Sequence, residues 1–147
     1  MKTNWRHNLH LYISIPVVTT AAFVYGFQPD FLFEMSNQTT DESNIYKAIM
    51  GLYLCFATFW FIGLKQTSYW KAATISNMLF MLGLGLGRLI SFVTDGMPSV
   101  VLLLGTVGEL TLAIYAYSQL KKPTDLLLVK NQINVSSVFS KKVKLFC

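Results

Sequence analysis

Four long runs of apolar residues dominate the chain and are separated by short polar stretches. They extend over about residues 9–27, 45–64, 72–93 and 100–120. Each run has roughly 20 residues, the length that a helix needs to cross about 30 Å of hydrocarbon. A spanning strand would instead show about 10 residues with alternating apolar and polar side chains, and these runs do not alternate. The pattern therefore predicts an all-α fold, an integral membrane four-helix bundle.

The connections between the runs differ in length and charge. Residues 28–43 form a polar, acidic stretch, whereas the later connections are short turns. Pro123 ends the last predicted helix, and the residues after it are basic with scattered apolar positions. We therefore expect a four-span transmembrane domain over residues 1–122. The remainder, residues 123–147, is expected to be a basic cytoplasmic tail that is disordered or lies on the membrane surface.

The first apolar run has an alternative interpretation as a secretory signal. Lys2 and Arg6 precede it, as basic residues precede a signal sequence. The run is long, however, and no small-x-small cleavage site follows it. We therefore interpret it as a span, which Pro16 is expected to kink.

Positive charges predict the orientation of the bundle. With four spans, both termini and the second connection lie on one side of the membrane. That side holds ten of the twelve basic residues: Lys2, Arg6, Lys65, Lys71, Lys121, Lys122, Lys130, Lys141, Lys142 and Lys144. Lys and Arg concentrate in cytoplasmic loops, so both the N and C termini are predicted to be cytoplasmic. Trp5, Trp60 and Trp70 fall at the same boundary, where indole rings anchor among head groups.

Composition agrees with a membrane environment. Apolar residues make up 53% of the chain and charged residues 13%, against about 25% charged residues in a typical soluble domain. The net charge of +5 does not indicate nucleic-acid binding, because the basic residues flank apolar runs and form no basic face. Two cysteines, Cys55 and Cys147, are too few for a disulfide framework. We expect Cys55 to be a small apolar packing residue.

Charged residues inside the predicted spans need a partner or a function, because charge is costly in hydrocarbon. Arg88 lies about 10 Å below the outer end of the third helix, and Glu109 lies about 15 Å below that of the fourth. The turn at Asp95-Gly96 and Pro98 makes these helices antiparallel neighbours. The depth difference of about 5 Å is within the reach of an arginine side chain. An Arg88–Glu109 ion pair is therefore predicted.

Four further polar residues accompany this predicted pair. Ser91 and Asp95 follow Arg88 by one and two turns, and Asn44 and Lys47 lie near the outer end of the second helix. Together they form a candidate ligand-binding pocket that opens to the outside: Asn44, Lys47, Arg88, Ser91, Asp95 and Glu109. The pocket predicts a non-enzymatic protein that binds a lipid, a small molecule or a protein partner on its outer face. Alternatively, the ion pair only determines which helices pack together.

Two other functions remain open. A membrane enzyme acting on a lipid-like substrate would use Glu109 or Asp95 as acid and base, with Arg88 or Lys47 holding an anionic group. An ion or proton carrier would use Glu109, and it would require a homo-oligomer because four spans make a thin wall for a pore. No Ser–His–Asp or Cys–His arrangement supports a catalytic assignment.

No cofactor or metal is predicted. His7 and His10 are spaced for one face of a helix, but no third metal ligand accompanies them. We expect this pair to be solvated or to face the head groups. Gly83 and Gly87 form a small-xxx-small pair that predicts close helix packing. Gly105 and Gly108, with Thr106, are the expected matching surface on the fourth helix.

The order of these polar residues resembles a known family. The motifs are Tyr25-Gly26-Phe27-Gln28-Pro29, Asn44-x-Tyr46-Lys47-Ala48-x-x-Gly51-Leu52-Tyr53, Gly87-Arg88-Leu89-x-Ser91, Asp95-Gly96-x-Pro98 and Glu109. They resemble the bacterial membrane family "domain of unknown function 4345" over about residues 10–120, without the tail. The family usually has arginine at the position of Lys47, so the charge is kept here but bidentate binding is not. The resemblance implies a four-helix bundle in a bacterial inner membrane, in contact with membrane lipids, and implies no reaction.

Overall fold

The computed structural model describes residues 5–27 and 39–121, which are almost entirely helical. A short 3-10 turn, Trp5–Asn8, leads into four helices: α1 (Leu9–Phe27), α2 (Thr40–Lys65), α3 (Thr67–Thr94) and α4 (Val100–Lys121). All four are long and apolar enough to cross a membrane. The predicted all-α bundle is confirmed. The predicted tail and most of the acidic connection lie outside the described residues.

Two helices begin earlier than the apolar runs indicate. Thr39 caps α2 through a capping box, in which Thr39 Oγ1 accepts from Glu42 N at 3.3 Å and Glu42 Oε2 accepts from Thr39 N at 2.8 Å. Helix α3 begins at Thr67, so that Gln66 alone separates it from α2. Counting apolar residues misses such polar first turns, because capping and not hydropathy determines where a helix begins.

Helices that are consecutive in the chain pack against one another. Helix α1 packs against α2, α2 against α3, and α3 against α4. Aromatic side chains fill the middle of the bundle. Tyr53 and Phe80 meet edge to face at a ring-centroid distance of 5.0 Å, and Trp60 meets Phe80 at 5.3 Å. Such edge-to-face pairs add about 0.5–1.5 kcal/mol beyond the area that they bury.

The position of Trp60 corrects one expectation. It is fully buried among the helices, and its Nε1 donates to Ser76 Oγ at 3.1 Å. It therefore belongs to the core and does not anchor the protein at a head-group boundary. Trp5 is 62% exposed, as an anchor would be. An indole can be buried wherever a neighbouring helix supplies an acceptor for its N–H, and hydropathy does not show that acceptor.

The expected packing of Gly83 and Gly87 is also corrected. No atom of another helix in the described residues lies within 4 Å of a Cβ built on either glycine. The close approach of α3 to α4 occurs at Gly85, where a Cβ would lie 2.6 Å from Leu110 Cδ2. Residues two apart on a helix point in nearly opposite directions, so Gly85 faces α4 while Gly83 and Gly87 face outward. Cys55 likewise lies on the exposed surface of α2 and not in the core.

Gly63 allows α2 and α3 to approach closely, and this provides a test of the packing. A Cβ on Gly63 would collide with Ala73 Cβ, so Gly63→Ala should reduce stability by about 1–3 kcal/mol through overpacking. The matched control is Gly51→Ala on the same helix, where no atom lies within 4 Å. Thermal unfolding in detergent should show a lower midpoint for Gly63→Ala only. Equal midpoints for the two variants would contradict this packing.

Candidate functional site

Helices α3 and α4 bring Arg88 and Glu109 together near the turn that joins them. Arg88 Nη2 lies 3.0 Å from Glu109 Oε1, with side chains that are 22% and 11% exposed. The pair forms because helical side chains lean toward the N-terminus of their own helix. Arg88 therefore leans away from the turn, and Glu109 leans toward it. The predicted ion pair is present in the structure.

The ion pair leaves hydrogen-bonding capacity unused. Glu109 Oε2 is buried and has no hydrogen-bond partner among the described residues. Within the same residues, Glu109 is the only ion-pair partner of Arg88. A Cβ built on Gly105 would lie 3.6 Å from Arg88 Nη1, so the guanidinium lies directly beside the α4 backbone. The site thus combines a partly exposed cationic donor with a buried acceptor.

The other four predicted residues do not join this pair directly. Ser91 Oγ donates to Asp95 Oδ2 at 2.8 Å, at the end of α3. Lys47 Nζ donates to Ser43 Oγ at 3.2 Å, within α2. Asn44 and Lys47 are both exposed. The structure thus does not join the six candidate residues into one group. Arg88 pairs with Glu109 and Ser91 bonds to Asp95, whereas Asn44 and Lys47 lie on the surface of α2.

A second group of polar residues, which the sequence pattern did not indicate, lies at the opposite end of the bundle. We call it the buried polar cluster: His10, Ser14, Thr74 and Asn77. All four side chains are 0% exposed. His10 Nε2 lies 3.2 Å from Thr74 Oγ1, which joins α1 to α3. The expectation that His10 is solvated or faces the head groups is therefore wrong.

Aromatic and amide side chains surround the entrance to this cluster. His7 stacks on Trp70 with ring centroids 4.1 Å apart, and His7 Nδ1 lies 3.3 Å from Gln119 Oε1. Trp70 Nε1 donates to Asn8 Oδ1 at 2.7 Å. These contacts connect the beginning of α1 with α3 and α4. His7 is thus half-buried in a stacked pair and is not part of a solvated histidine pair.

A helical spacing could have revealed the buried polar cluster. His10 and Ser14 are four residues apart, and Thr74 and Asn77 are three apart, so each pair lies on one face of its helix. Single polar residues barely change the average hydropathy of a span, so the apolar runs concealed them. Four atoms of the cluster are buried without a partner in the described residues: His10 Nδ1, Ser14 Oγ, Asn77 Nδ2 and Asn77 Oδ1. Each such group costs about 1–3 kcal/mol if it stays unpaired.

A comparison with protein families assigns the chain to a family. The family model described as "Domain of unknown function (DUF4345)" matches residues 7–120. The chain belongs to this family. The DUF4345 match extends over all four helices and contains both the Arg88–Glu109 pair and the buried polar cluster. No curated protein and no solved structure matches the chain.

The Arg88–Glu109 pair predicts strongly non-additive substitutions. Arg88→Met or Glu109→Leu alone should reduce stability by about 3 kcal/mol, the scale of an unpaired charge within a span. The loss of stability in the double variant should be smaller than the sum of the two single losses, because the double variant leaves no charge without its partner. Thermal unfolding in detergent measures all three.

The control for this cycle is Thr111→Val on α4. Thr111 is exposed and donates to a carbonyl of its own helix, Val107 O, at 2.7 Å. Its replacement should leave the unfolding midpoint nearly unchanged. If the loss of stability in the double variant equals the sum of the two single losses, the two charges do not stabilise each other.

Proposed function

We propose that this DUF4345 protein is a multi-pass protein of the bacterial inner membrane that binds a lipid or lipid-like small molecule at the Arg88–Glu109 pair. In this proposal both termini are cytoplasmic, and the site lies in the outward half of the bundle. The observation that carries the proposal is the incomplete pairing of the two charges. Glu109 Oε2 is buried and has no partner in the part of the chain that the structure describes, and it lies beside an arginine side chain that is 22% exposed.

The chemistry of the two side chains suggests what such a ligand contains. A guanidinium binds phosphate, carboxylate or carbonyl oxygens through its planar set of N–H donors. A carboxylate oxygen accepts from a hydroxyl or an amine. A ligand that satisfies both therefore has an acceptor group next to a donor group. Lipid head groups combine the two, since they carry a phosphate beside an amine or a hydroxyl.

The end of α3 near the turn also carries an apolar groove. The groove has a volume of about 420 Å³ and lies along α3, where it is lined by Leu86, Leu89, Ile90, Val93 and Thr94. Arg88 is two residues from both Leu86 and Ile90, so its side chain leaves α3 on nearly the opposite side from this groove. The groove therefore adds no support for a hydrocarbon chain bound beside the ion pair, and the proposal of a lipid rests on the chemistry of the two charged side chains.

The observations favour neither of the other two functions. Asp95, one candidate acid or base, bonds to Ser91, and its side chain is exposed. On α3, Met81 is buried between Asn77 and Arg88 and separates the two polar groups of the bundle. Asn77 and Arg88 are separated along α3 by about 16 Å. In the described part of a single chain, polar residues therefore form no continuous path for a proton.

Binding can be tested by native mass spectrometry of the detergent-purified full chain. The protein is incubated with phosphatidylethanolamine and phosphatidylglycerol and then desalted. The wild type should retain a lipid, and Arg88→Met/Glu109→Leu should lose at least about 90% of it, since a tenfold change corresponds to about 1.4 kcal/mol. Thr111→Val, outside the site, should retain it. Equal lipid retention by the double variant and the wild type would exclude the ion pair as the binding site.

The orientation can be tested with two reporters fused to the C-terminus of the full chain. Alkaline phosphatase becomes active only outside the cytoplasm, whereas green fluorescent protein fluoresces only when it folds inside. Ten of the twelve basic residues lie on the side that we place in the cytoplasm. The phosphatase fusion should therefore be inactive and the fluorescent fusion bright. An active phosphatase fusion and a dark fluorescent fusion would show that the orientation is reversed, with the Arg88–Glu109 pair in the cytoplasmic half of the bundle.

A further inference from the structure

We propose that the buried polar cluster is a binding site for one or two internal water molecules, which bridge α1 and α3 as a permanent part of the bundle. The site consists of His10 Nδ1, Ser14 Oγ and the side-chain amide of Asn77. All of these atoms are buried without a partner in residues 5–27 and 39–121. The site is distinct from the Arg88–Glu109 pair and does not depend on the function proposed for that pair.

The register of the two helices places Ser14 beside Asn77. Two hydrogen bonds join α1 and the turn before it to α3 at this end: Trp70 with Asn8, 62 residues apart, and Thr74 with His10, 64 residues apart. Such a nearly constant separation means that the two helices run in the same direction. Ser14 and Asn77 are 63 residues apart, between these two values. They therefore lie at the same level, about one turn beyond the His10–Thr74 bond.

Ser14 and Asn77 are thus neighbours that do not bond to each other. Neither the hydroxyl nor either polar atom of the amide has a hydrogen-bond partner in the described residues. Both side chains are 0% exposed, so lipid head groups and bulk water do not reach them. In a bundle surrounded by hydrocarbon, such groups must find partners inside the protein. A molecule between the two helices would supply them.

The chemistry of the cluster selects a small neutral molecule. Asn77 Nδ2 only donates, Asn77 Oδ1 only accepts, and the Ser14 hydroxyl does both. A bare cation would be repelled by the N–H donors, and an anion by the carbonyl oxygen. Water both donates and accepts, makes about three hydrogen bonds when buried, and is small enough for a site with no exposed surface. One or two water molecules therefore satisfy the four unpaired atoms.

Solution NMR of the full chain in deuterated detergent tests this site. A long-lived internal water should give a nuclear Overhauser cross-peak between the water resonance and the side-chain amide protons of Asn77. The backbone amide proton of Gly85 is the negative control, since Gly85 is buried in α3 and residues 81–87 carry no hydroxyl group. The indole proton of Trp5, which is 62% exposed, is the positive control.

The Asn77 cross-peak could arise from bound water or from the Ser14 hydroxyl, whose proton exchanges with water. The Ser14→Ala variant distinguishes these two sources. If the Asn77 cross-peak arises from bound water, it should persist in this variant, because His10 Nδ1 and the amide still hold the water. Loss of the cross-peak in Ser14→Ala would identify the hydroxyl as its source and overturn the proposal. Absence of the cross-peak in the wild type, with the Trp5 signal present, would also overturn it. Ser14→Ala removes a single oxygen, so the fold should be retained, and thermal unfolding checks this.

Discussion

The constraint on which this bundle depends is that its polar groups cannot rely on water inside a membrane. Helices satisfy the backbone, because each N–H bonds within its own span. Polar side chains within the spans must then find partners on neighbouring helices. The Arg88–Glu109 pair does this between α3 and α4, and the His10–Thr74 bond does it between α1 and α3. These contacts turn the polar faces of α1, α3 and α4 toward one another.

The bundle consequently has two polar regions with an apolar, aromatic layer between them. Near the α3–α4 turn, two opposite charges are paired, and one carboxylate oxygen has no hydrogen-bond partner within residues 5–27 and 39–121. At the other end, neutral side chains are enclosed completely. The first region is partly exposed and carries charge, so it can recognise a head group. The second is closed and neutral, so it suits water that stays in the protein. The aromatic layer, with Tyr53, Phe80 and Trp60, keeps the two regions apart.

Much of the first region could be predicted from the sequence, because charges in apolar runs are conspicuous and a tight turn makes two helices antiparallel. The depth of Arg88 and Glu109 followed from counting residues at a constant rise. Asn44 and Lys47 were harder to place, because the position of a residue in the sequence does not show how its helix is rotated about the helix axis. Both lie on the exposed surface of α2. The buried polar cluster was missed because histidine, serine and asparagine do not stand out singly against an apolar average.

The sequence by itself determined the number of spans, the helical fold and the Arg88–Glu109 pair, because helix length and the cost of isolated charge are local properties. Only the tertiary structure decided which glycine meets a neighbouring helix, that Trp60 is buried, and that His10 and Asn77 are enclosed together. Those outcomes depend on how each helix is rotated about its axis. That rotation is determined jointly by all the side chains that pack between helices, so no single stretch of sequence contains it.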